Sequence, residues 1–312
     1  MVLGITFNGL CEIFMLTSFR AFLRRSLARL GHAFGTVLMY FWKRPAFQND
    51  PSISVHLLVS SKTWHAGVLA AMSFEFFTQR RWNLFFHEDG SVDELARKKI
   101  EQVFPGVHFI SRVHSEEVMK QRLKDYPNCQ SLRQEHNLFL KFFDLPAFAS
   151  GTRMILLDSD VIFFKQPKEI LTWVDSKSQE CWYNEDTTEK YCIPRYELEP
   201  ALGIKFWPKF NSGLMLMPLT AISLPLAERL LTTFKETAHH PQFFEQTLYA
   251  LMASAWNQGG ALPLTYEISW GLFRRPDSIC RHYVGAFKHD LLYIEGVMML
   301  VLKKIFAKSN DS

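Results

Sequence analysis

The sequence has few cysteines, and they form no recognisable motif. Five occur among 312 residues, without a Cys-x-x-Cys pair. This excludes a disulfide-rich scaffold and the usual zinc-finger spacings. Cys181 and Cys192 bracket a polar stretch, so a disulfide between them and two free thiols both fit. The Asn-x-Ser/Thr motif occurs only at the C-terminal Asn310, which favours a cytosolic location.

Long apolar runs and glycine-rich phosphate loops are also missing. No stretch reaches the ~18 uninterrupted apolar residues of a membrane span, which excludes a polytopic membrane protein. Neither GxGxxG nor GxxxxGK[ST] occurs. Hydrophobic residues make up 48% of the chain and charged residues 21%, a composition typical of a globular protein.

The main part of the chain has no net charge. Residues 1–50 contain six basic and two acidic side chains, and the 29 basic and 29 acidic side chains that follow cancel. The net charge of +4 therefore belongs to the N-terminal segment. A neutral body argues against nucleic-acid binding, which requires a basic face.

Residues 1–50 are interpreted as a basic amphipathic segment and linker. Apolar stretches at 1–19 and 31–42 flank four arginines, whereas a signal peptide carries its positive charges before the apolar run. A helix lying on an anionic membrane and a helix capping the next domain both fit. Glu12 interrupts the first stretch and disfavours a signal anchor.

A second basic and apolar segment, 291–312, ends the chain and contains Lys303, Lys304 and Lys308. Two such ends on a neutral body suggest that both contact one anionic membrane surface. We therefore expect a cytoplasmic protein that is peripheral at a membrane. A type II lumenal topology also remains compatible with the sequence.

Residues 51–290 alternate between strand and helix patterns. Strands are predicted at 53–59, 82–86, 107–110 and 154–157, with helices at 65–77, 91–103 and 115–148, the last broken near Pro127 and Pro146. This alternation predicts an α/β domain with a doubly wound, mainly parallel sheet flanked by helices. Such sheets bind ligands at the carboxyl ends of their strands.

Two carboxylates interrupt an apolar run at the end of the strand at 154–157. Asp158, Ser159 and Asp160 stand between Leu156-Leu157 and Val161-Ile162. Neighbouring carboxylates repel each other unless a cation lies between them. Mg²⁺ or Mn²⁺ accepts carboxylate ligands, so this pair indicates a metal site.

Four further segments stand in a fixed order around this pair. They are the helix at 137–146, the Asn211-Ser212-Gly213 strand, Glu245-Gln246, and His282 with Gly285 and Lys288 in an HxxGxxK pattern. Together these motifs resemble the GT-A-fold glycosyltransferases, and within them the retaining family 8 group that includes glycogenin and lipopolysaccharide galactosyl- and glucosyltransferases. The resemblance covers roughly residues 53–290.

The sequence departs from this family at several positions. His289-Asp290 follows the late lysine where the family usually has Pro-Trp, and Glu245 replaces a more usual Asp. Residues 172–209 and both ends match no family motif.

The resemblance implies a metal and diphosphate site. Asp158, Asp160 and His282 would hold Mn²⁺ or Mg²⁺. Ser159, which stands between the two aspartates, would also contact the donor. Gly285 would let the backbone approach the diphosphate, and Lys288 would donate to it.

The resemblance also implies a nucleotide end and a sugar end. Ser60, Lys62 and Trp64 follow the first strand, where the base lies in this fold, so Trp64 either stacks on uracil or is a core or rim residue. Lys141 either reaches the donor phosphate or pairs with Asp158. Three residues would face the sugar: Asn211, Glu245 and Gln246. Gln246 is the candidate for stabilising the positively charged sugar.

These expectations describe a metal-dependent retaining glycosyltransferase that moves a hexose from a UDP-sugar to a glycan, glycolipid or protein acceptor. A sugar-nucleotide-binding pseudoenzyme and a membrane-associated scaffold are the alternatives. A DxD phosphohydrolase is a minor alternative, because Val161-Ile162 follows the pair where such enzymes have a Gly-Thr-like turn.

Overall fold

The computed structural model describes residues 7–286, 288–298 and 300, and of 7–18 only the helical backbone. The α-helices are α1 Phe7–Tyr40, α2 Trp64–Thr78, α3 Glu94–Val103, α4 Arg112–Arg122, α5 Pro127–Glu135, α6 Leu140–Ala147, α7 Lys168–Asp175, α8 Arg195–Leu202, α9 Leu224–Phe234, α10 Phe244–Trp256 and α11 Lys288–Leu291. A π-helix, Leu292–Val297, follows α11. The strands are β1 Ile53–Val59, β2 Asn83–Glu88, β3 His108–Ile110, β4 Arg153–Leu157, β5 Val161–Phe163, β6 Cys181–Glu185, β7 Phe210–Pro218, β8 Gly259–Ala261, β9 Tyr266–Ser269 and β10 Cys280–Tyr283.

Seven strands form the central sheet, in the order β3-β2-β1-β4-β7-β6-β8. Strands β3, β2, β1 and β4 pair in parallel, and β7 runs antiparallel to both β4 and β6. A small second sheet has the order β5-β10-β9. The predicted α/β fold with a mainly parallel sheet is thus confirmed.

The central sheet separates two apolar cores because its strands alternate their side chains between the two faces. Ile155 and Leu157 of β4 lie in the core that includes α2 and α7. Met154 and Leu156 lie in the opposite core, which includes α9 and α10. This double burial explains why β4 is a continuous apolar run.

Local signals set several of the helix boundaries. Asp93 caps α3 by accepting a hydrogen bond from the Ala96 amide, and Pro127 occupies the first turn of α5. The region predicted as helical over 115–148 divides into α4, α5 and α6. Pro146 lies inside α6, one residue before that helix ends.

The described cysteines are all buried free thiols, so Cys181 and Cys192 do not form a disulfide. Cys181 lies in β6, and Cys192 contacts Thr247 of α10 through its backbone amide. Burial raises the pKa of both thiols to about 12, which makes them poor nucleophiles at neutral pH.

Helix α1 packs on α2 and on the segment that follows β10. A Cβ at Gly31 would overlap the carbonyl oxygen of Tyr293, and one at Gly35 would lie 3.0 Å from Leu69 Cδ1. Arg24 Nε donates to Asp290 Oδ2 at 2.6 Å. The N-terminal helix therefore covers the body of the protein, as one of the two sequence interpretations expects.

Part of the segment 291–312, for which a membrane contact is predicted, lies inside the fold. Leu291, Leu292, Val297 and Leu300 are buried in the core that includes α2, because this segment fills the space between α1 and the small sheet. Lys303, Lys304 and Lys308 lie outside the described residues. Within the described chain, we find no helix whose length and apolarity would let it cross a membrane.

Candidate functional site

The site lies at the edge of the sheet where β1 and β4 end. These neighbouring strands run in parallel, so Ser60 and Asp158, which directly follow them, are at the same edge. Leu157 pairs with Leu214 of the antiparallel strand β7, and the Asp158 amide donates to the Gly213 carbonyl at 2.7 Å. The start of β7 is thereby fixed beside the acidic turn.

Asp158, Asp160 and His282 come together although more than 120 positions separate the histidine from the aspartates. One potential ligand atom from each lies within 4.8 Å of the others. His282 Nε2 is 3.1 Å from Asp160 Oδ1 and 3.8 Å from Asp158 Oδ2. The pairing of β10 with β5 brings the histidine there, because His282 lies opposite Val161.

Asn211 orients the histidine ring. Its Oδ1 accepts a hydrogen bond from the Gly213 amide at 2.9 Å and lies 3.1 Å from His282 Nδ1. An amide oxygen can only accept a hydrogen bond, so Nδ1 is the donor and Nε2 is the ring nitrogen that faces the aspartates. A hydrogen bond on the far ring nitrogen is typical of metal-binding histidines.

Gly213 leaves the space that this ring needs. A Cβ at residue 213 would overlap His282 Cε1 and Nδ1 and would lie 2.9 Å from Asn211 Oδ1. The Asn211-Ser212-Gly213 motif therefore has a steric reason in this structure. Sequence reasoning singled out Asn211 and not the glycine beside it.

Asp160 is buried and held as a carboxylate by contacts with Lys288 and His282. Lys288 Nζ donates to its Oδ2 at 2.7 Å, while His282 contacts its Oδ1. Burial alone would raise the pKa of Asp160, but His282 and Lys288 together hold it well below the usual value. The Asp160 carboxylate in turn raises the pKa of Lys288.

Gly285 allows the turn between β10 and α11. Its φ of +90° lies in the region that favours glycine, and a Cβ there would lie 2.5 Å from the Trp270 ring. Trp270 is exposed beside this turn, and Lys190 Nζ lies 5.3 Å from the centre of its ring. Neither Trp270 nor Lys190 belongs to a predicted motif.

Lys141 lies buried between two carboxylates. Its Nζ is 2.7 Å from Asp158 Oδ1 and 3.4 Å from Glu245 Oε1. Ser212 donates to Glu245 Oε2 at 2.8 Å and also accepts from Lys141. Burial favours the neutral amine, but Asp158 and Glu245 outweigh it and raise the pKa of Lys141. Of the two sequence alternatives, the structure places Lys141 in the pair with Asp158.

A second polar chain extends from Asn211 toward residues that sequence reasoning missed. Asn211 Nδ2 donates to the buried Asp186 at 3.0 Å, and Asp186 pairs with Lys190 at 3.1 Å. Gln246 Nε2 donates to the Lys190 carbonyl at 2.7 Å. Asp186 and Lys190 lie within 172–209, where no motif signals their position.

The residues after β1 form a separate group at the same edge. Ser60 contacts Thr63 through their hydroxyls at 3.0 Å, Lys62 is exposed, and Trp64 begins α2 half-buried. A Cβ at Gly67 would lie 3.5 Å from Ser159 Cβ, so the first turn of α2 borders the acidic turn. No described contact joins Lys62 or Trp64 directly to the carboxylates.

The donor set fits a divalent cation. Two carboxylates and an imidazole nitrogen that faces them match the oxygen and nitrogen ligands that Mn²⁺ accepts. Asp158 is half-buried, whereas Asp160 and His282 are buried. The cluster is therefore reachable from one side.

No protein-family model matches the sequence, and no curated protein is significantly similar to it. Solved structures do match. The glycosyltransferase GlyE of Streptococcus pneumoniae is 13% identical, and the match covers 86% of this chain and 64% of that chain with a TM-score of 0.51. The galactosyltransferase LgtC, in complex with donor and acceptor sugar analogs, is 14% identical over 81% of this chain and 95% of that chain, with a TM-score of 0.49. Mouse xyloside xylosyltransferase 1, in its apo form, is 14% identical over 75% and 97%, with a TM-score of 0.48.

The similarity to GlyE shows that this chain has the fold of a glycosyltransferase. The GT-A fold expected from the family 8 resemblance is confirmed. At this identity the comparison concerns the fold alone, so the chemistry must be argued from the site.

Proposed function

We propose that this protein is a metal-dependent retaining glycosyltransferase that moves a hexose from a UDP-sugar to a glycan, glycolipid or protein acceptor. The observation that carries the proposal is the convergence of Asp158, Asp160 and His282 at the carboxyl edge of the sheet. Open α/β sheets bind their ligands at this edge. The buried Lys141 pairs with Asp158 and the half-buried Lys288 pairs with Asp160, so two positive charges lie beside the carboxylates.

Asp158, Asp160 and His282 are the proposed ligands of Mn²⁺, with Mg²⁺ as the alternative. Bound there, the ion would offset the negative charge that develops on the departing diphosphate. Asn211 acts on this site by fixing the ring of His282, and Lys141 by fixing Asp158.

The diphosphate is proposed to lie between the acidic turn and the turn after β10. Lys288 supplies a positive charge there and already contacts Asp160. The backbone at Gly285 and Ser159 borders the same space. Positive charge fixed near the leaving oxygen lowers the barrier to its departure.

The nucleotide is proposed to lie beside Ser60, Lys62 and Trp64. Support comes from their position after β1, one strand away from the acidic turn. The half-buried Trp64 offers a ring for stacking on uracil, and exposed Lys62 offers a charge.

The sugar is proposed to lie near Asn211, Glu245 and Gln246. Gln246 is buried at the start of α10, and its carboxamide is held by the Lys190 carbonyl. Positive charge on the sugar ring would be stabilised by the oxygen of this carboxamide. Glu245 contacts Lys141 and Ser212. Because Lys141 also pairs with Asp158, Glu245 also acts on Asp158 through this lysine.

In the proposed reaction the bond between the anomeric carbon and the diphosphate oxygen breaks, and its electron pair leaves with UDP. The oxygen of an acceptor hydroxyl forms the new bond to the same carbon. One proton of that hydroxyl is released, so the products are UDP, the glycoside and a proton.

The alternatives make different predictions about the same residues. A pseudoenzyme would bind UDP without turnover, and a scaffold would bind neither UDP nor metal. A DxD phosphohydrolase would need an aspartate oxygen available for attack, whereas Lys141 pairs with Asp158 Oδ1 at 2.7 Å, and Lys288 and His282 contact the two oxygens of Asp160. These contacts favour a binding role over a nucleophilic one.

We also propose that the protein works at the cytoplasmic side of an anionic membrane. The basic and apolar composition of residues 1–50 supports this location. It is independent of the reaction at the site and requires its own test.

The first experiment is a thermal-shift panel of nucleotides and UDP-hexoses with and without Mn²⁺, followed by UDP release in the same mixtures. We expect a rise in melting temperature only with a UDP compound plus Mn²⁺, and slow UDP release from one UDP-hexose. Binding without release from any UDP-hexose would indicate a pseudoenzyme. A flat panel together with no UDP release would contradict the glycosyltransferase proposal.

A further inference from the structure

Helix α1 has two faces of opposite character. Its inner face packs on the body through small or buried residues, including Ala28, Gly31 and Gly35. Its outer face, defined here by Phe19, Phe22, Leu23, Leu30, Phe34 and Val37, is apolar and exposed. These six side chains lie within an arc of about 120° around the helix axis, so they form one continuous stripe.

The exposed large hydrophobic side chains of this protein are concentrated on α1 and the residue that follows it. Nine of the eighteen exposed large hydrophobic side chains in the described part of the chain lie between residues 19 and 41. Exposed apolar patches of this extent commonly mark a surface that meets a partner or a membrane.

Positive charges line both edges of the stripe. Arg25 and Arg29 lie on one edge and Arg20 and Arg24 on the other, as the helical spacing requires. No acidic residue occurs between Glu12 and Asp50. An apolar stripe bordered by arginines complements a surface with an acyl interior and anionic phosphates.

A groove of about 440 Å³ runs beside Arg25 and Arg29, between α1 and the start of the C-terminal segment. His32, His289 and Tyr293 contribute to its walls. The acidic residue there, Asp290, pairs with Arg24 at 2.6 Å. Because Arg24 offsets the charge of Asp290, Arg25 and Arg29 remain available at the rim of the groove. Two arginines in this position suit the binding of an anionic group.

The groove is close to the candidate site in the chain. Asp290 is two residues after Lys288, which contacts Asp160. His65, the neighbour of Trp64, contacts Thr36 of α1 at 3.0 Å and stacks on His32 with ring centres 3.8 Å apart. Helix α1 therefore contacts residues that adjoin both proposed ends of the donor site.

We propose that the outer face of α1 docks on an anionic lipid bilayer, with a lipid phosphate in the groove beside Arg25 and Arg29. The inference specifies the face responsible for the membrane location proposed above and does not depend on glycosyl transfer. Docking in this orientation would place the donor site beside the lipid headgroups, which favours a glycolipid among the three acceptor classes.

The test is flotation of the full chain with phosphatidylcholine vesicles that contain or lack phosphatidylglycerol. We expect the wild type to float with the anionic vesicles and at least about tenfold less with the neutral ones. Phe22→Glu combined with Leu30→Glu should abolish flotation. Leu95→Glu with Val113→Glu, at exposed positions of α3 and α4, is the matched control and should float like the wild type.

A second pair of variants tests the groove. Arg25→Ala with Arg29→Ala should weaken binding to anionic vesicles about 25-fold, at about fivefold for each arginine. Lys98→Ala with Lys120→Ala removes two exposed lysines elsewhere and should cause a much smaller change.

Several outcomes would overturn the inference. Wild-type protein that does not float contradicts membrane docking. Equal loss in the test and control pairs contradicts the role of this face or of the groove. A dimer in solution that Phe22→Glu with Leu30→Glu converts to a monomer would assign the face to a second copy of the chain instead.

The thermal-shift response to UDP plus Mn²⁺ is measured on each variant in parallel. It monitors folding and separates the two proposals. Loss of flotation with an intact nucleotide response concerns the docking face alone, whereas flotation without any nucleotide response contradicts the proposed donor site alone.

Discussion

In the candidate site charged side chains are buried, whereas on the outer face of α1 apolar side chains are exposed. Buried charges and extended exposed apolar patches are the two informative exceptions to the usual distribution of residues in globular proteins. In the acidic cluster the charges are paired, as Lys141 with Asp158 and Lys288 with Asp160. On α1 the stripe is exposed among the residues that the structure describes.

This contrast teaches that the two regions should respond differently to substitution. A substitution in the site leaves a charged side chain without its partner and should reduce stability or ligand binding. A change on the outer face of α1 should leave the folded protein intact and alter only its contact with a surface. The predictions below test this difference, beginning with the largest expected effect.

Lys141→Met should cause the largest loss of stability. It leaves Asp158 and Glu245 without their shared cation in a buried position, and breaking a buried pair typically costs about 3–5 kcal/mol. The free energy of unfolding in urea measures this effect. Lys62→Met, at an exposed position on the same edge of the sheet, should differ from wild type by less than about 0.5 kcal/mol, and an equal loss in both variants would refute the structural role of Lys141.

Asp160→Asn should keep the fold but reduce Mn²⁺-dependent turnover by more than about a hundredfold, because a proposed metal ligand is lost. UDP release with added Mn²⁺ gives the rate, and the melting temperature monitors folding. Asp277→Asn, at an exposed aspartate whose described partner is Arg275, is the control. An unchanged rate for Asp160→Asn would remove the proposed metal site.

Gly213→Ala should weaken Mn²⁺ affinity about 10–100-fold, because the added Cβ displaces the His282 ring. The substitution leaves the proposed ligands unchanged and alters only a residue that positions one of them. Mn²⁺ titration of the thermal shift in the presence of UDP measures it. Gly260→Ala is the matched control, because a Cβ at residue 260 meets no atom within 4 Å. Equal Mn²⁺ affinity in both variants would contradict the steric role of Gly213.

Trp64→Ala should weaken UDP binding about tenfold, since base stacking on an aromatic ring contributes about 1–3 kcal/mol. Isothermal titration with UDP and Mn²⁺ measures the affinity. The melting temperature should change little. A large fall in melting temperature with unchanged UDP affinity would instead make Trp64 a core residue.

Phe22→Ser on the outer face of α1 should have the smallest effect on stability, within about 0.5 kcal/mol, because the side chain is exposed. Leu38→Ala on the inner face of the same helix should cost about 2–5 kcal/mol, since Leu38 is buried. Urea unfolding of the two variants compares the faces directly. Similar losses in both would show that the outer face is covered within the folded protein.

Much of the fold could be predicted from local patterns. The continuous apolar run of β4 and the alternation of strands with helices predicted an α/β sheet, and α2 and α3 lie close to their predicted positions. The antiparallel direction of β7 could not be predicted, because strand direction depends on the connection through residues that lack a recognisable pattern. The burial of Leu291, Leu292, Val297 and Leu300 likewise depends on the surface that α1 offers.

Only some residues of the candidate site could likewise be predicted from the sequence. Asp158 and Asp160 were evident because carboxylates interrupt an apolar run, and His282 and Lys288 because they fit a motif of the resembling family. Asp186, Lys190 and Trp270 carried no such signal. The pairing of β6 with β7 changes register between Tyr183 and Asn184, shortly before Asp186, and Trp270 lies against the turn at Gly285.

The sequence by itself determined the alternation of strands and helices, the acidic turn after β4 and the positive charge of the N-terminal segment, because these depend on neighbouring residues. Only the tertiary structure decided that Asn211 holds the His282 ring with Nε2 toward the aspartates, that Lys141 pairs with Asp158, and that α1 keeps its apolar stripe on the outside. Each of these depends on contacts between residues far apart in the chain, and their relative positions are fixed only when the sheet and its two cores have formed.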